Sequence, residues 1–272
     1  MSNWPIIQGA SRFETLGIGS GAGTAVTASS SVNVKGNYAT LGTASFKYAG
    51  FSAMICNGSG AGRFRLDIAV NTGSADTVIV EDLYVDMTTN SGATGEWILP
   101  IPVAVPAGAI VKARCQCTVA SRSFQVAVIG YANNASGDPG FRALKSLTDW
   151  TNTDPTTSIA TGTGTGTTSW AQITASTSVR VASLFMLMDS TGTASGRTTS
   201  SMAIDIGWGA AGSEKVLATV LQLLQTSTPA LVTHGPFPCD IPAGTRLATR
   251  ATVGTAQGIS SNFATPLYGL VI

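Results

Sequence analysis

One unusual phrase occurs twice in the chain. It reads IPVAVPAGAIVKARCQC over residues 101–117 and FPCDIPAGTRLATRATV over residues 237–253. The residues that recur in the same order are Pro102, Pro106, Ala107, Gly108 and Arg114, matched by Pro238, Pro242, Ala243, Gly244 and Arg250. Members of each pair are separated by half of the 272-residue chain. This spacing indicates an internal repeat.

Other segments align between the two halves in the same order. RLDIAV in the first half matches AIDIGW in the second, which places Asp67 opposite Asp205. Nearer the start of each half, Tyr38 is matched by Trp170. Small changes in spacing between the matched segments are what loop insertions and deletions produce. We therefore predict a tandem duplication.

The predicted copies cover residues 1–135 and 142–272. The stretch ANNASGDPG between them is rich in turn-forming residues and is typical of a linker. Each copy also contains a Gly/Ser/Thr-rich stretch, GIGSGAGTAVTASSSVN in the first and TTSIATGTGTGTTS in the second. Such composition predicts flexible arms or loops that become ordered against a neighbouring molecule.

Apolar and polar residues alternate strictly after each Pro-Ala-Gly. Period two is the pattern of a strand with one buried face. The residues predicted to face a core are Val111, Ala113, Cys115, Cys117 and Val119, then Leu247, Thr249, Ala251 and Val253, with Phe64, Leu66, Ile68, Val70, Met202, Ile204, Ile206 and Trp208 on two further strands. Those predicted to face outward include Lys112, Arg114, Gln116, Thr118, Arg63, Arg65, Asp67, Ala248, Arg250 and Thr252.

The repeated phrase itself predicts a corner of the fold. Proline cannot donate to a strand ladder, so Pro102 and Pro106 belong at a sheet edge and in a turn. We place Pro106 at the second position of a type I turn and Gly108 at the fourth. The segment SEKVLATVLQLLQTS suits either a helix or a strand, and its alternating, β-branched counterpart in the first copy favours a strand. The fold class expected is therefore all-β, with two tandem antiparallel β-sandwich domains of jelly-roll-like architecture.

Composition excludes several classes of function. Charged residues make up 11% of the chain, against about 25% in typical proteins, and the net charge is +1. No basic run is present, so nucleic-acid binding is not expected. No apolar run is long enough to span a membrane, and the first residues do not resemble a secretory signal. A surface of small hydroxylic residues is common in proteins that neighbours cover in an assembly.

The sequence offers no recognisable catalytic machinery. Its one histidine, His234, stands beside a Gly-Pro turn and favours a structural role. Asp67 and Asp205 occupy equivalent positions in different copies, so they do not form a pair of catalytic carboxylates. Glu81, Asp82 and Asp86 have the pattern of an ordinary solvated cluster. We predict no catalytic residue, no cofactor and no metal site, hence no enzyme.

Cysteine usage indicates a reducing compartment. The four cysteines, Cys56, Cys115, Cys117 and Cys239, have no metal-ligand spacing. Buried reduced thiols are the first interpretation, and intermolecular disulfides in an assembly are the second.

Three residues are candidate interface contacts. Arg114 and Arg250 are the charged residues that both copies of the corner phrase share. They either pack their stems on the sheet or contact a neighbouring subunit. Trp4, near the start of the chain, could anchor a neighbour.

The duplicated β-rich copies, the Pro-Ala-Gly corner, the Gly/Thr/Ser-rich stretches and the low charge together resemble virion proteins of tailed bacteriophages. The similarity is to capsid decoration, or cement, proteins built from jelly rolls. It implies a non-enzymatic protein of the virion, assembled in the cytoplasm of a bacterial host. It also implies contacts with other copies of itself, often as trimers, and with the major capsid protein or another virion protein. The alternative is a tail or fibre component that binds a host glycan or another virion protein.

Overall fold

The computed structural model describes most of the chain as β-structure. The described residues are 10–19, 22–87, 97–133, 140–155, 158–161, 165–190, 200–224, 232–254 and 261–272. In these ranges every regular element is a strand. The all-β prediction is confirmed.

The chain divides into two compact units. The first contains residues 1–145 together with 270–272, and the second contains residues 146–269. The sequence predicted copies over 1–135 and 142–272. Their common origin by duplication stays a prediction, whereas the architecture of each unit is seen directly.

The first unit is built from strands that form two sheets. They are β1 (Ala10–Leu16), β2 (Thr24–Thr27), β3 (Ala39–Thr43), β4 (Gly50–Cys56), β5 (Arg63–Asn71), β6 (Asp76–Asp86), β7 (Trp97–Ile101), β8 (Ile110–Cys117), β9 (Ser123–Asn133) and the short β10 (Ala143–Ser146). One sheet has the order β1-β9-β4-β7, with β2 also paired to β9. The other has the order β3-β8-β5-β6, and β10 lies beside β6.

The second unit repeats this order with its own strands. They are β11 (Trp150–Thr151), β12 (Asp154–Pro155), β13 (Ser158–Thr161), β14 (Gly166–Thr167), β15 (Ala171–Thr174), β16 (Val181–Ser190), β17 (Ser200–Trp208), β18 (Lys215–Leu224), β19 (Val232–Ile241), β20 (Leu247–Val253), β21 (Ser261–Ala264) and β22 (Leu267–Val271). One sheet contains β13-β21-β16-β19, with β22 continuing beside β16. The other contains β15-β20-β17-β18, with β14 also on β20.

Both units are antiparallel sandwiches of the jelly-roll type. In the first unit the chain changes sheet between β3 and β4, between β4 and β5, and on each step from β6 to β9. The matching steps of the second unit run from β15 to β21 in the same way. Two four-stranded sheets joined by such crossings form a jelly roll. The predicted sandwich architecture is confirmed.

The buried faces follow the alternation in the sequence. Phe64 of β5 meets Phe124 of β9 across the two sheets of the first unit, with ring centroids 4.8 Å apart. The predicted core positions of β5 and β20 are all buried. Burying one apolar face of every strand supplies the main stabilisation of each sandwich.

Several positions differ from the predicted pattern. Val119 is 40% exposed, because β8 ends at Cys117 and the alternation ends with it. Trp208 is 36% exposed, since it is the last residue of β17 and follows an irregularity in the pairing with β18. Gln116 is buried although it alternates outward, because Arg65 reaches over and donates to its Oε1 at 2.8 Å. Ala248, also predicted to face outward, is buried as well.

The Pro-Ala-Gly corner is a tight turn, but not of the predicted type. The N–H of Ala109 donates to the carbonyl oxygen of Pro106 at 3.3 Å, so Pro106 is the first residue of the turn. Gly108 is then the third, with φ +77°, and Gly244 has φ +85° in the second unit. A positive φ at the third position is characteristic of a type II turn and favours glycine there. The predicted type I turn was therefore wrong in its type. Pro106 and Gly108 each stand one position earlier in the turn than predicted.

Two further segments are now defined. The described parts of both Gly/Ser/Thr-rich stretches pair inside their own unit, as β2 on β9 and as β13 and β14 on β21 and β20. These strands belong to the sheets of their own unit, whereas the sequence predicted arms or loops that are ordered by a neighbouring molecule. The segment that suited either a helix or a strand is strand β18, as its counterpart β6 indicated.

A single methyl group added at Gly130 should destabilise the first unit. A Cβ there would lie 2.3 Å from ring atoms of Tyr48, which is fully buried. Because overpacking a core costs about 1–3 kcal/mol, we expect Gly130→Ala to lower the free energy of unfolding by that amount. Urea denaturation measures the change. Gly254→Ala is the matched control, since a Cβ there meets no atom within 4 Å. Equal stability of the two variants would contradict the packing described.

Candidate functional site

An aromatic ring, an arginine and an aspartate meet on the outer face of the first unit. The guanidinium carbon of Arg114 lies 4.5 Å from the centroid of the Tyr38 ring. Nε of Arg114 donates to Oδ2 of Asp67 at 3.0 Å. The three residues come from segments far apart in the sequence and meet because neighbouring strands bring them together.

The second unit carries the same arrangement. The guanidinium carbon of Arg250 lies 4.5 Å from the centroid of Trp170. Nε of Arg250 donates to Oδ2 of Asp205 at 2.8 Å. We call these two clusters the Arg–Asp–aromatic trios. The residues that the sequence alignment matched between the halves are therefore the residues that meet in each unit.

Strand register explains both trios. Asp67 is the direct partner of Arg114 across β5 and β8, and Asp205 is the direct partner of Arg250 across β17 and β20. The aromatic residue stands immediately before β3 in the first unit and before β15 in the second. Opposite charges directly across a strand pair stabilise a sheet modestly, and a cation over an aromatic face adds to this.

The first trio is embedded in a larger charge network. Lys35 Nζ lies 2.6 Å from Asp67 and 2.6 Å from Oδ1 of Asp82. Arg65 contacts the other oxygen of Asp82 at 3.3 Å. The Asp67 side chain is only 1% exposed, so its charge is stabilised by these cations rather than by water.

A local irregularity in β6 completes the network. Asp82 has φ +50°, and its backbone N–H donates to Oδ1 of Asp67 at 3.0 Å. In the second unit the hydroxyl of Thr219 donates to Oδ1 of Asp205 at 2.6 Å instead. A backbone donor in one unit and a side-chain donor in the other thus serve equivalent carboxylates.

Neither Asp82 nor Asp67 has the environment that the sequence suggested. Asp82 and Asp86 are ion-paired members of the sheet rather than a solvated cluster, and Asp67 is buried beneath its partners. Sequence reasoning also missed Lys35, because it lies in a loop 32 residues away from Asp67.

Trp170 lies close against the sheet. A Cβ at Gly207 would come within 2.6 Å of the indole ring, so glycine allows the ring to approach the backbone. Arg250 covers the ring as well, and its own side chain is 32% exposed. The trio therefore acts as a clamp that holds the start of β15 to the sheet.

The clamp uses the Nε and one face of each arginine. The side chains of Arg114 and Arg250 are 31% and 32% exposed. The first interpretation of these arginines was that their stems pack on the sheet, and the contact that the structure shows is that of each guanidinium with a ring and a carboxylate. Their role in a subunit interface stays a prediction, and Trp4 lies outside the described residues.

The histidine and the cysteines have surroundings that suit a structural role. Nε2 of His234 lies 3.0 Å from Oε1 of Gln222, and burial lowers the pKa of the imidazole. All four cysteines are free thiols, and burial raises the pKa of Cys115 to about 12 and that of Cys239 to about 11. The thiols of Cys115 and Cys239 are therefore not nucleophiles near neutral pH.

The described residues hold neither a candidate metal site nor a helix that could span a membrane. They contain no cluster of three or more histidine, cysteine, aspartate or glutamate side chains suited to a metal ion. No helix among them is long and apolar enough to cross a membrane.

Comparison with known proteins gives structural similarities at low identity. No family model and no curated protein matches the sequence. The STIV major capsid protein is 9% identical with a TM-score of 0.37, over 94% of this chain and 95% of that one. PNGF-II is 8% identical with a TM-score of 0.38, over 96% of this chain and 65% of that one. The tandem CBM22-1–CBM22-2 domain of Paenibacillus barcinonensis Xyn10C is 11% identical with a TM-score of 0.26, over 96% and 91%. Similarities of this size carry no conclusion about function.

Removing the carboxylate charge should matter more in the first unit than in the second. Asp67→Asn removes a carboxylate that is 1% exposed and that accepts from Lys35, Arg114 and the backbone N–H of Asp82, which should cost about 3 kcal/mol. Asp205→Asn acts at a more exposed position and should cost about 1 kcal/mol. Urea denaturation of both variants makes the comparison. Losses of equal size would show that the additional network around Asp67 contributes nothing.

His234 should make stability depend on pH. Because the folded pKa is lowered from 6.5, the unfolded chain takes up a proton at a pH where the folded protein does not. The free energy of unfolding should therefore fall as the pH decreases from 6.5 toward the lowered folded value. His234→Gln should remove this slope, since no other histidine is present. Denaturation at pH 7.5 and at pH 5.5 tests it, and an unchanged slope in the variant would contradict it.

Proposed function

We propose that the protein is a non-enzymatic structural component of a virion, a capsid decoration (cement) protein that stabilises a phage head. Double-sheet jelly rolls are an architecture used by viral capsid proteins and by lectin domains. This is an analogy between folds, and it supports the proposal together with the composition of the chain.

The observation that carries the proposal is that the titratable side chains are held by neighbouring residues. The carboxylates that could have served chemistry, Asp67 and Asp205, are held by arginine across the strand register. His234 is held by Gln222 at 3.0 Å. Charged groups committed to the rigidity of a sheet suit a scaffold better than a reaction centre, where a group must be free to exchange protons or bind substrate.

Low surface charge suits a protein whose faces are covered by neighbours. Exposed apolar side chains on the first unit include Phe13, Ile18, Val32 and Val34. Such residues are often covered when subunits associate. The partners we propose are other copies of the chain and the major capsid protein or another virion protein. Arg114 and Arg250 are the proposed polar contacts.

Four free cysteines, of which Cys115 and Cys117 are buried, fit assembly in the reducing cytoplasm of a bacterial host. The protein would then be found in the mature virion.

The two aromatic rings of the trios are partly covered by arginine, so they are not open platforms for stacking on a sugar. For this reason we place the decoration role ahead of glycan binding.

Immunogold electron microscopy of virus particles from the source of the sequence tests the proposal. We expect label spread regularly over the head, and antibody pre-absorbed with the purified protein is the control. Label confined to the tail or a fibre tip would replace the proposal with the tail-component alternative. Particles without label would overturn both.

A further inference from the structure

Strand β18 is the outer strand of its sheet in the second unit. Within the described residues it pairs with β17 and with no other strand. It is ten residues long, Lys215–Leu224, which exceeds the usual five or six residues of a strand. An outer strand presents unpaired backbone N–H and C=O groups, which can pair with a strand of another molecule.

Three other strands at sheet edges carry features that prevent such pairing. The counterpart of β18 in the first unit, β6, contains four acidic residues and is covered by β10, with Leu144 paired to Val80. Lys145 also contacts Glu81 across this edge at 3.5 Å. Strand β7 has five residues and includes a proline, and β19 contains two prolines and an aspartate. Prolines, charges and covering segments are the usual protection of a sheet edge.

Strand β18 has none of these features. Its sequence, KVLATVLQLL, contains no proline, and its single charged residue is the first. Leu221, near its centre, is 76% exposed, and Val216 is exposed as well. In the described part of the chain no segment plays the part that β10 plays on β6. The contrast between two strands at the same position of the same architecture indicates that this edge is used.

We propose that β18 pairs antiparallel with β18 of a second copy of the chain. A two-fold axis through the middle of the strand would join the two five-stranded sheets into one continuous sheet of ten strands. Such a contact uses the same residues on both copies and closes on itself. The proposal goes beyond the proposed function and does not depend on it.

The sequence of β18 suits its own reversed copy. In an antiparallel pair about a two-fold axis, the Lys215 side chains of the two molecules lie at opposite ends of the strand pair, so like charges stay apart. The centre joins Thr219, Val220 and Leu221 to the same residues of the second copy. Uncharged β-branched and apolar pairs across strands are favourable. The contact is two-fold, so it differs from the three-fold contact of a trimer.

Charge placed at the centre of the strand tests the pairing. Leu221→Lys and Leu221→Glu each place like charges diagonally across the strand pair on either side of the two-fold axis, whereas a mixture of the two variants places opposite charges there. Sedimentation velocity over a concentration series should give a dimer for the natural protein. We expect each variant to associate at least about tenfold more weakly and the equimolar mixture to regain dimers. Val119→Lys, at a position 40% exposed and outside the strands, is the control and should dimerise normally.

Amide hydrogen exchange distinguishes backbone pairing from contact between sheet faces. Amides of β18 that do not bond to β17 should be protected in the natural protein and should exchange in Leu221→Lys. Circular dichroism and thermal unfolding check that the variants remain folded, as expected for an exposed position. A natural protein that stays monomeric, an oligomer that Leu221→Lys leaves intact, or unprotected β18 amides would each overturn the proposal. These measurements use purified protein, so their failure is separate from a failure of the virion proposal.

Discussion

The pairing of one charged residue with another across the central strands organises the outer face of each sandwich. Asp67 meets Arg114 in the first unit, and Asp205 meets Arg250 in the second. The inner faces of the same strands are apolar and form the core. The charged residues of these strands therefore lie on the other face, beside the charged residues of the neighbouring strand. Strand register satisfies both requirements at once, because a slip of one residue would exchange the buried and exposed faces.

The two units solve the same problem with different residues. In the first unit, a lysine and a backbone N–H share a deeply buried carboxylate with the arginine. In the second, a threonine hydroxyl takes the place of the backbone donor, and the aromatic ring is larger. Gly207 makes room for that larger ring beside the strand. Equivalent geometry is thus retained while the partners change.

The same comparison distinguishes the two units at their edges. Strand β6 is acidic and covered, whereas β18 carries only the charge of Lys215 and is outermost in its described sheet. Two edges of different character thus occupy the same position of two similar units.

Much of the fold could be predicted from the sequence, since period-two alternation is a local property. The core positions of β5 and β20, the strand nature of β18 and the two-sandwich architecture follow from such patterns and from the repeated corner phrase. The match of Tyr38 with Trp170 likewise identified the aromatic member of each trio. Residues close in sequence carry this information, because a strand determines which side chains share a face.

Tertiary structure decided what depends on contacts between distant segments. Lys35 reaches Asp67 from another part of the chain, and this contact turns an outward residue into a buried one. The exposure of Trp208 and the burial of Gln116 follow from strand ends and long neighbouring side chains. Strand β10 lies beside β6, and no described strand lies beside the outer edge of β18. This difference, too, is set by the path of the folded chain. The sequence by itself determined which face of each strand is apolar, and only the folded chain decided which polar groups lose contact with water, because burial depends on what packs above a residue.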